Sequence, residues 1–187
     1  MTISTMTISF SKQPHGRVCG SCTLCCKLLP VVDLKKAAGE RCKHARYAKG
    51  CAIYAKRPLE CRTWSCAWLA MADETPGVPR PDRAHIVIDI IRDEVMHKYG
   101  DGTVQAVPVV QMWCDPAFPE AHKAPALRAY MLNMATRHGA ATIIRYDSER
   151  AFVIYPPPLM SDRQWHEKTG VVTARNAFEA EVLELAR

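Results

Sequence analysis

From residue 84 onward, apolar and polar positions alternate in blocks that predict regular elements. His85-Ile86-Val87-Ile88-Asp89-Ile90-Ile91 is a β-branched run of strand length, and Val104 to Trp113 is a second. Between Pro119 and His138, the residues Leu127, Tyr130, Met131, Met134 and Ala135 recur at three- and four-residue steps. That spacing predicts an amphipathic helix, which Gly139 ends. Ala141 to Tyr146 and Ala151 to Tyr155 flank the turn-forming Asp147-Ser148-Glu149-Arg150 and predict a hairpin. The expected order is β, β, α, β, β. Pro156-Pro157-Pro158 then interrupts regular structure. A helical period returns from Asn176 to Arg187 through Phe178, Val182 and Leu185, a tail expected to pack on the sheet or on a partner.

Upstream of residue 84 these rhythms are absent. Pro76, Gly77, Pro79 and Pro81 cluster and rule out a continuous helix there. The expected organisation is therefore a flexible lead-in at 1–17, a cysteine-rich module at 18–71, a proline-rich hinge at 72–83, and an α+β domain with a C-terminal helix at 84–187. As a fold class this is α+β: an irregular cysteine-rich metal-binding module packed on a small antiparallel sheet with one long helix.

Composition sharpens the picture of the first segment. The chain has 187 residues, 48% of them hydrophobic and 24% charged, the balance of a folding globular protein. No apolar window reaches the eighteen or so residues of a membrane span. Residues 1–12 are polar and carry no basic start followed by an apolar core, so a cytoplasmic location is expected. Of nine cysteines, eight fall between Cys19 and Cys66 and only Cys114 lies outside. In a reducing compartment such crowding points to metal ligation rather than disulfides.

The formal charge of +6 looks suited to nucleic acid, but it counts every cysteine as a neutral thiol. Four thiolates around a zinc ion, or around a 4Fe-4S core, leave a site at about −2. Two such sites would lower +6 to roughly +2. The Lys and Arg around the cysteines then compensate metal-bound thiolate, and nucleic-acid binding is not expected; a protein partner is left open.

The run Cys19-Gly20-Ser21-Cys22-Thr23-Leu24-Cys25-Cys26 has two-residue spacers that let successive sulfurs turn around one centre, with Gly20 permitting the tight turn. Adjacent Cys25 and Cys26 point in different directions, so both ligating one tetrahedral ion would be strained. The others, Cys42, Cys51, Cys61 and Cys66, have spacings that match neither a zinc ribbon nor a C2H2 finger. Three cysteines meet the ferredoxin pattern, whose fourth must come from downstream, from Cys61 or Cys66. All eight are candidate ligands, and a 4Fe-4S cluster is preferred over Zn2+ by a narrow margin. Cys114 is expected to be a buried small hydrophobe. His44, and likewise His15, is expected to be solvated rather than a ligand. Asp89, Asp93 and Glu94 are expected to form a solvated strand end.

The pattern C-x-x-C-x-x-C-C, a separate cysteine, and then Cys51-Ala52-Ile53-Tyr54-Ala55-Lys56-Arg57-Pro58-Leu59-Glu60-Cys61-Arg62-Thr63-Trp64-Ser65-Cys66 resembles the YkgJ-type cysteine cluster family. The likeness covers roughly residues 18–69, with Arg80-Pro81-Asp82-Arg83 similar to an extension in some members. It implies a zinc- or iron-chelating domain. Independently of the family, Arg57 and Arg62 flank Cys61 and can supply positive charge to thiolates, while Tyr54, Trp64 and Trp68 can exclude water. Two functional classes follow: a metal-binding protein with a structural, electron-transfer or metal-handling centre, or a redox or protein-modifying enzyme working at an exposed cluster edge.

Overall fold

The computed structural model describes residues 16–90 and 93–170. The C-terminal helix expected at 176–187 and most of the lead-in lie outside these residues. The architecture is α+β. A short α1 (Leu24–Leu28) opens the cysteine-rich segment, followed by the two-stranded antiparallel pair β1 (Ala45–Arg46) and β2 (Gly50–Cys51). Next come single-turn helices α2 (Leu59–Thr63), α3 (Ala67–Ala70) and α4 (Pro81–Ala84). The remaining chain supplies β3 (Ile86–Asp89), β4 (Glu94–Lys98), β5 (Val104–Cys114), α5 (Pro125–His138), β6 (Ala141–Arg145), β7 (Ala151–Tyr155) and β8 (His166–Thr169).

These last strands form a six-stranded sheet in the order β3-β5-β6-β7-β8, with β4 also paired to β5. It departs from the expected small antiparallel sheet, because β5 and β6 run parallel. The cause is α5. Pro125 starts the helix at its first position, Leu127, Tyr130, Met131 and Ala135 bury against the sheet, and Gly139 (φ +62°) ends it. A helix between neighbouring strands is a crossover, which returns the chain parallel to its start. Strands β4 and β8 were not predicted. β4 alternates, with Val95 and His97 buried between exposed Glu94, Met96 and Lys98, but the pattern is short and polar. β8 reads His-Glu-Lys-Thr and carries no strand signal at all.

Strand alternation gives the sheet two distinct faces. On one, Ile86, Ile88, Met112, Cys114, Ile144 and Ile154 pack with Leu127, Tyr130 and Met131 of α5. On the other, Leu24 and Leu28 of α1 join Cys22 against Val87 and Trp113. Because both faces are covered, all five residues of β6 are buried. The proline-rich stretch 72–83 is packed too: Thr75, Val78 and Pro81 are buried, and Arg17 donates from Nη1 to Thr75 Oγ1 (2.8 Å) and to the Trp68 carbonyl (2.7 Å). Lys27, next to Cys26, holds both Asp115 oxygens at 2.7 Å.

Candidate metal centre

All eight cysteines between residues 19 and 66 wall one cavity of about 900 Å³, lying between the cysteine-rich segment and the second face of the sheet. All nine cysteines are free thiols. Cys114 is separate, buried in the core under α5 and donating its S–H to the Phe118 carbonyl (3.3 Å). Each wall has a local cause. Gly20, at φ +52°, turns the chain between Cys19 and Cys22, and the Cys22 N–H closes the turn on the Cys19 carbonyl at 2.9 Å. The Cys42 N–H donates to the Cys26 carbonyl at 2.8 Å, tying the long loop to α1. Cys51 sits on β2 opposite Ala45. Pro58 caps α2, which carries Cys61, and Cys66 caps α3.

One contact fixes how these walls meet. Gly50 (φ +84°) approaches Gly20 so closely that a Cβ on it would stand 2.4 Å from the Gly20 carbonyl oxygen. Only glycine permits that approach, which sets Cys51 beside the Cys19–Cys22 turn.

Burial dominates the thiol chemistry. It pushes Cys19 up to about 11, with Cys22 and Cys26 nearby adding to the rise. Burial likewise raises Cys66 to about 11 and lifts Cys22 and Cys61. Cys25 and Cys26 are hydrogen-bonded to each other, which holds Cys25 as the thiol and lowers Cys26 to about 7, helped by the cations of Lys36, Arg41 and Arg57. Lys36 is a buried ammonium that bonds the Leu29 and Ala37 carbonyls, and burial lowers its own pKa. Arg80 donates to Ser21 Oγ at 3.0 Å and to both Asp82 oxygens at 2.7 Å.

Of the auxiliary residues expected from sequence, Arg57 stacks on Tyr54 (3.8 Å to the ring centroid), its Nε buried without a hydrogen-bond partner. Arg62 and Tyr54 line the cavity but are exposed, so Tyr54 closes the rim only partly. Trp64 packs against the same apolar cluster as Cys25 and Cys66 and donates from Nε1 to Asp89 Oδ1 at 2.8 Å. His44 lines the cavity half-buried, and His15 lies outside the described residues.

Sequence reasoning missed the floor of the cavity. Asp89 is not a solvated strand end: it is buried, accepting from Trp64 and from Gln111 Nε2 (3.2 Å), while Arg145 Nε bonds Gln111 Oε1. These polar residues occupy strand positions that would face solvent if the sheet had one covered side. The alternation was legible, but that the cysteine segment would cover them was not. Lys36 and Arg80 were equally invisible as neighbours of the thiols, because folding alone brings them there.

Among the described residues, no three His, Cys, Asp or Glu side chains converge into a ready coordination shell. A tetrahedral Zn–S4 site needs sulfurs about 3.8 Å apart, from bonds of about 2.3 Å. The donor set fits thiophilic metal, and the cage must contract to hold it. No helix among the described residues is long and apolar enough to cross a membrane. No protein-family model matches the chain, and no curated protein or solved structure matches it.

Proposed function

We propose that this protein binds metal through its cysteine cage, in a structural, electron-transfer or metal-handling role within a reducing compartment. The observation that carries this is the separation of the cysteines: eight wall one cavity and the ninth is buried elsewhere as a small hydrophobe. Scattered core thiols would not sort themselves in that way. An iron–sulfur cluster is preferred to zinc, since Cys19, Cys22 and Cys25 keep ferredoxin spacing and Cys66 packs with Cys22 and Cys25 as a fourth donor.

Metal, iron and acid-labile sulfide analysis of anaerobically purified protein tests the reading. Stoichiometric metal supports it, and absorption near 400 nm marks a cluster. Protein that takes up no metal when reduced, or that is isolated with these cysteines in disulfides, overturns it.

A second reading, a redox or protein-modifying enzyme, is favoured by the floor of the cavity. Asp89, Gln111 and Arg145 lie in the same space as the thiols, so a small molecule entering it meets both. A centre open to solvent, with a reduction potential accessible to cellular donors, supports this second reading. A redox-silent centre whose removal unfolds the chain supports the first.

A further inference from the structure

We propose that the cage holds two separate four-thiolate metal centres: an inner one on Cys19, Cys22, Cys25 and Cys66, and an outer one on Cys26, Cys42, Cys51 and Cys61. This deepens the metal-binding reading and rests on it.

One tetrahedral centre takes four thiolates, so eight in one cavity exceed what a single ion or cubane can use. The division between sets falls at Cys25 and Cys26. Successive residues on a helix are turned by about 100°. Leu24 and Leu28 of α1 face the sheet at Val87 and Trp113. Cys25, one step from Leu24 and three from Leu28, flanks that stripe; Cys26, two steps from each, lies on the far side of the helix. The packing agrees, since Cys25 joins Cys22 and Cys66 in the apolar cluster on the sheet and Cys26 does not. Cys19 is bound to this inner group through its turn with Cys22.

The other four are linked through the backbone. Cys42 donates to the Cys26 carbonyl and accepts at its own carbonyl from Ala45 (3.0 Å), and Ala45 pairs with Cys51. Cys61 enters from α2. The neighbourhoods divide in the same way: Cys66 lies near Cys19 and Cys22, whereas Cys61 lies near Cys26, Cys42 and Cys51. The sets meet at Cys25 and Cys26, where Cys26 lies near Cys19, and where Gly50, beside Cys51, closes on Gly20. Arg80 lies beside Cys19 and Cys22, Lys36 and Arg41 lie beside Cys26, and Arg57 stands near both sets. Two centres of about −2 require a positive surround of this kind.

The test loads the reduced, metal-free full chain with 113Cd2+, combining native mass spectrometry with 113Cd NMR. Two bound ions and two resonances of all-thiolate type, with no Cd–Cd coupling, are expected. Cys66→Ser should drop the count from two to one and abolish one resonance, and Cys61→Ser should abolish the other. One ion per chain, scalar coupling between ions through a shared sulfur, or loss of both resonances in both variants overturns the partition while leaving metal binding intact. No Cd2+ uptake at all overturns the metal-binding reading itself. Should either variant fail to fold, the count and coupling in the unaltered chain still decide.

Discussion

Replacing Gly50 by alanine should damage the cage far more than the loss of two hydrogens for a methyl suggests. Two costs add. At φ +84° an L-residue is strained by about 1–2 kcal/mol. The new Cβ would also stand 2.4 Å from the Gly20 carbonyl oxygen, where ordinary contact begins at 3.4 Å, so the two backbones must part by the difference. Both partners are main chain, and no side chain can swing aside. Overpacking of this kind costs about 1–3 kcal/mol, giving a total of about 2–5 kcal/mol. Gly39→Ala and Gly77→Ala are matched controls: their φ values are +77° and +72°, but nothing lies within 4 Å of either added Cβ. They should lose about 1–2 kcal/mol each. Urea unfolding of the three variants measures the stability difference. Metal titration should show at least a tenfold weaker affinity for Gly50→Ala, because metal–ligand distances tolerate only about 0.2 Å. A Gly50→Ala protein within about 0.5 kcal/mol of Gly77→Ala, binding metal normally, would refute the close approach as a determinant of the cage.

Other outcomes follow from neighbouring features. Trp64→Phe removes the hydrogen bond to buried Asp89 and should cost about 1–3 kcal/mol by denaturation, the penalty of a desolvated carboxylate oxygen left without its donor. His97 and His122 both have pKa values lowered by burial, with Lys168 and His166 adding to the effect at His97 and Arg128 at His122. The unfolded chain therefore takes up protons first as pH falls: stability is level above the ordinary value of 6.5 and declines as pH drops through it toward the lower folded values. Thermal melts from pH 8 to 5 should show that slope, and His97→Phe should reduce it. Cys114→Ala should keep full metal content and lose about 1 kcal/mol of stability, whereas Cys22→Ala and Cys61→Ala should each lose metal; wild-type metal in either of the latter would contradict the assignment of ligands.

How far the chain could be read in advance depended on whether signals were local. The apolar steps from Leu127 to Ala135, with Gly139 after them, state α5 outright, and the β-branched runs state β3, β5, β6 and β7. His166-Glu-Lys-Thr forms a strand only because β7 offers it an edge, which no local signal announces. The cysteines were legible as a group by their density, while their division depends on which side of a five-residue helix meets Val87 and Trp113. Asp89 read as part of a solvated strand end, and Gln111 and Arg145 carried no signal, because the sheet's second cover comes from residues over twenty positions away.

One asymmetry of the cage bears on how an ion would come and go. Among the described residues, no hydrophobic side chain between Val31 and Ala67 is fully buried, whereas α1 is pinned to the sheet by Leu24, Leu28 and the Lys27–Asp115 pair. Apart from Ala38, Trp64 and Cys66, which are partly buried against the sheet, the outer wall is held by backbone bonds and polar contacts, so it belongs to the less protected part of the molecule. Its amides should exchange with solvent hydrogen by local breathing, at rates far above those of β5 and β6. Opening of that wall on a sheet that stays folded would give a bound ion a door that needs no global unfolding.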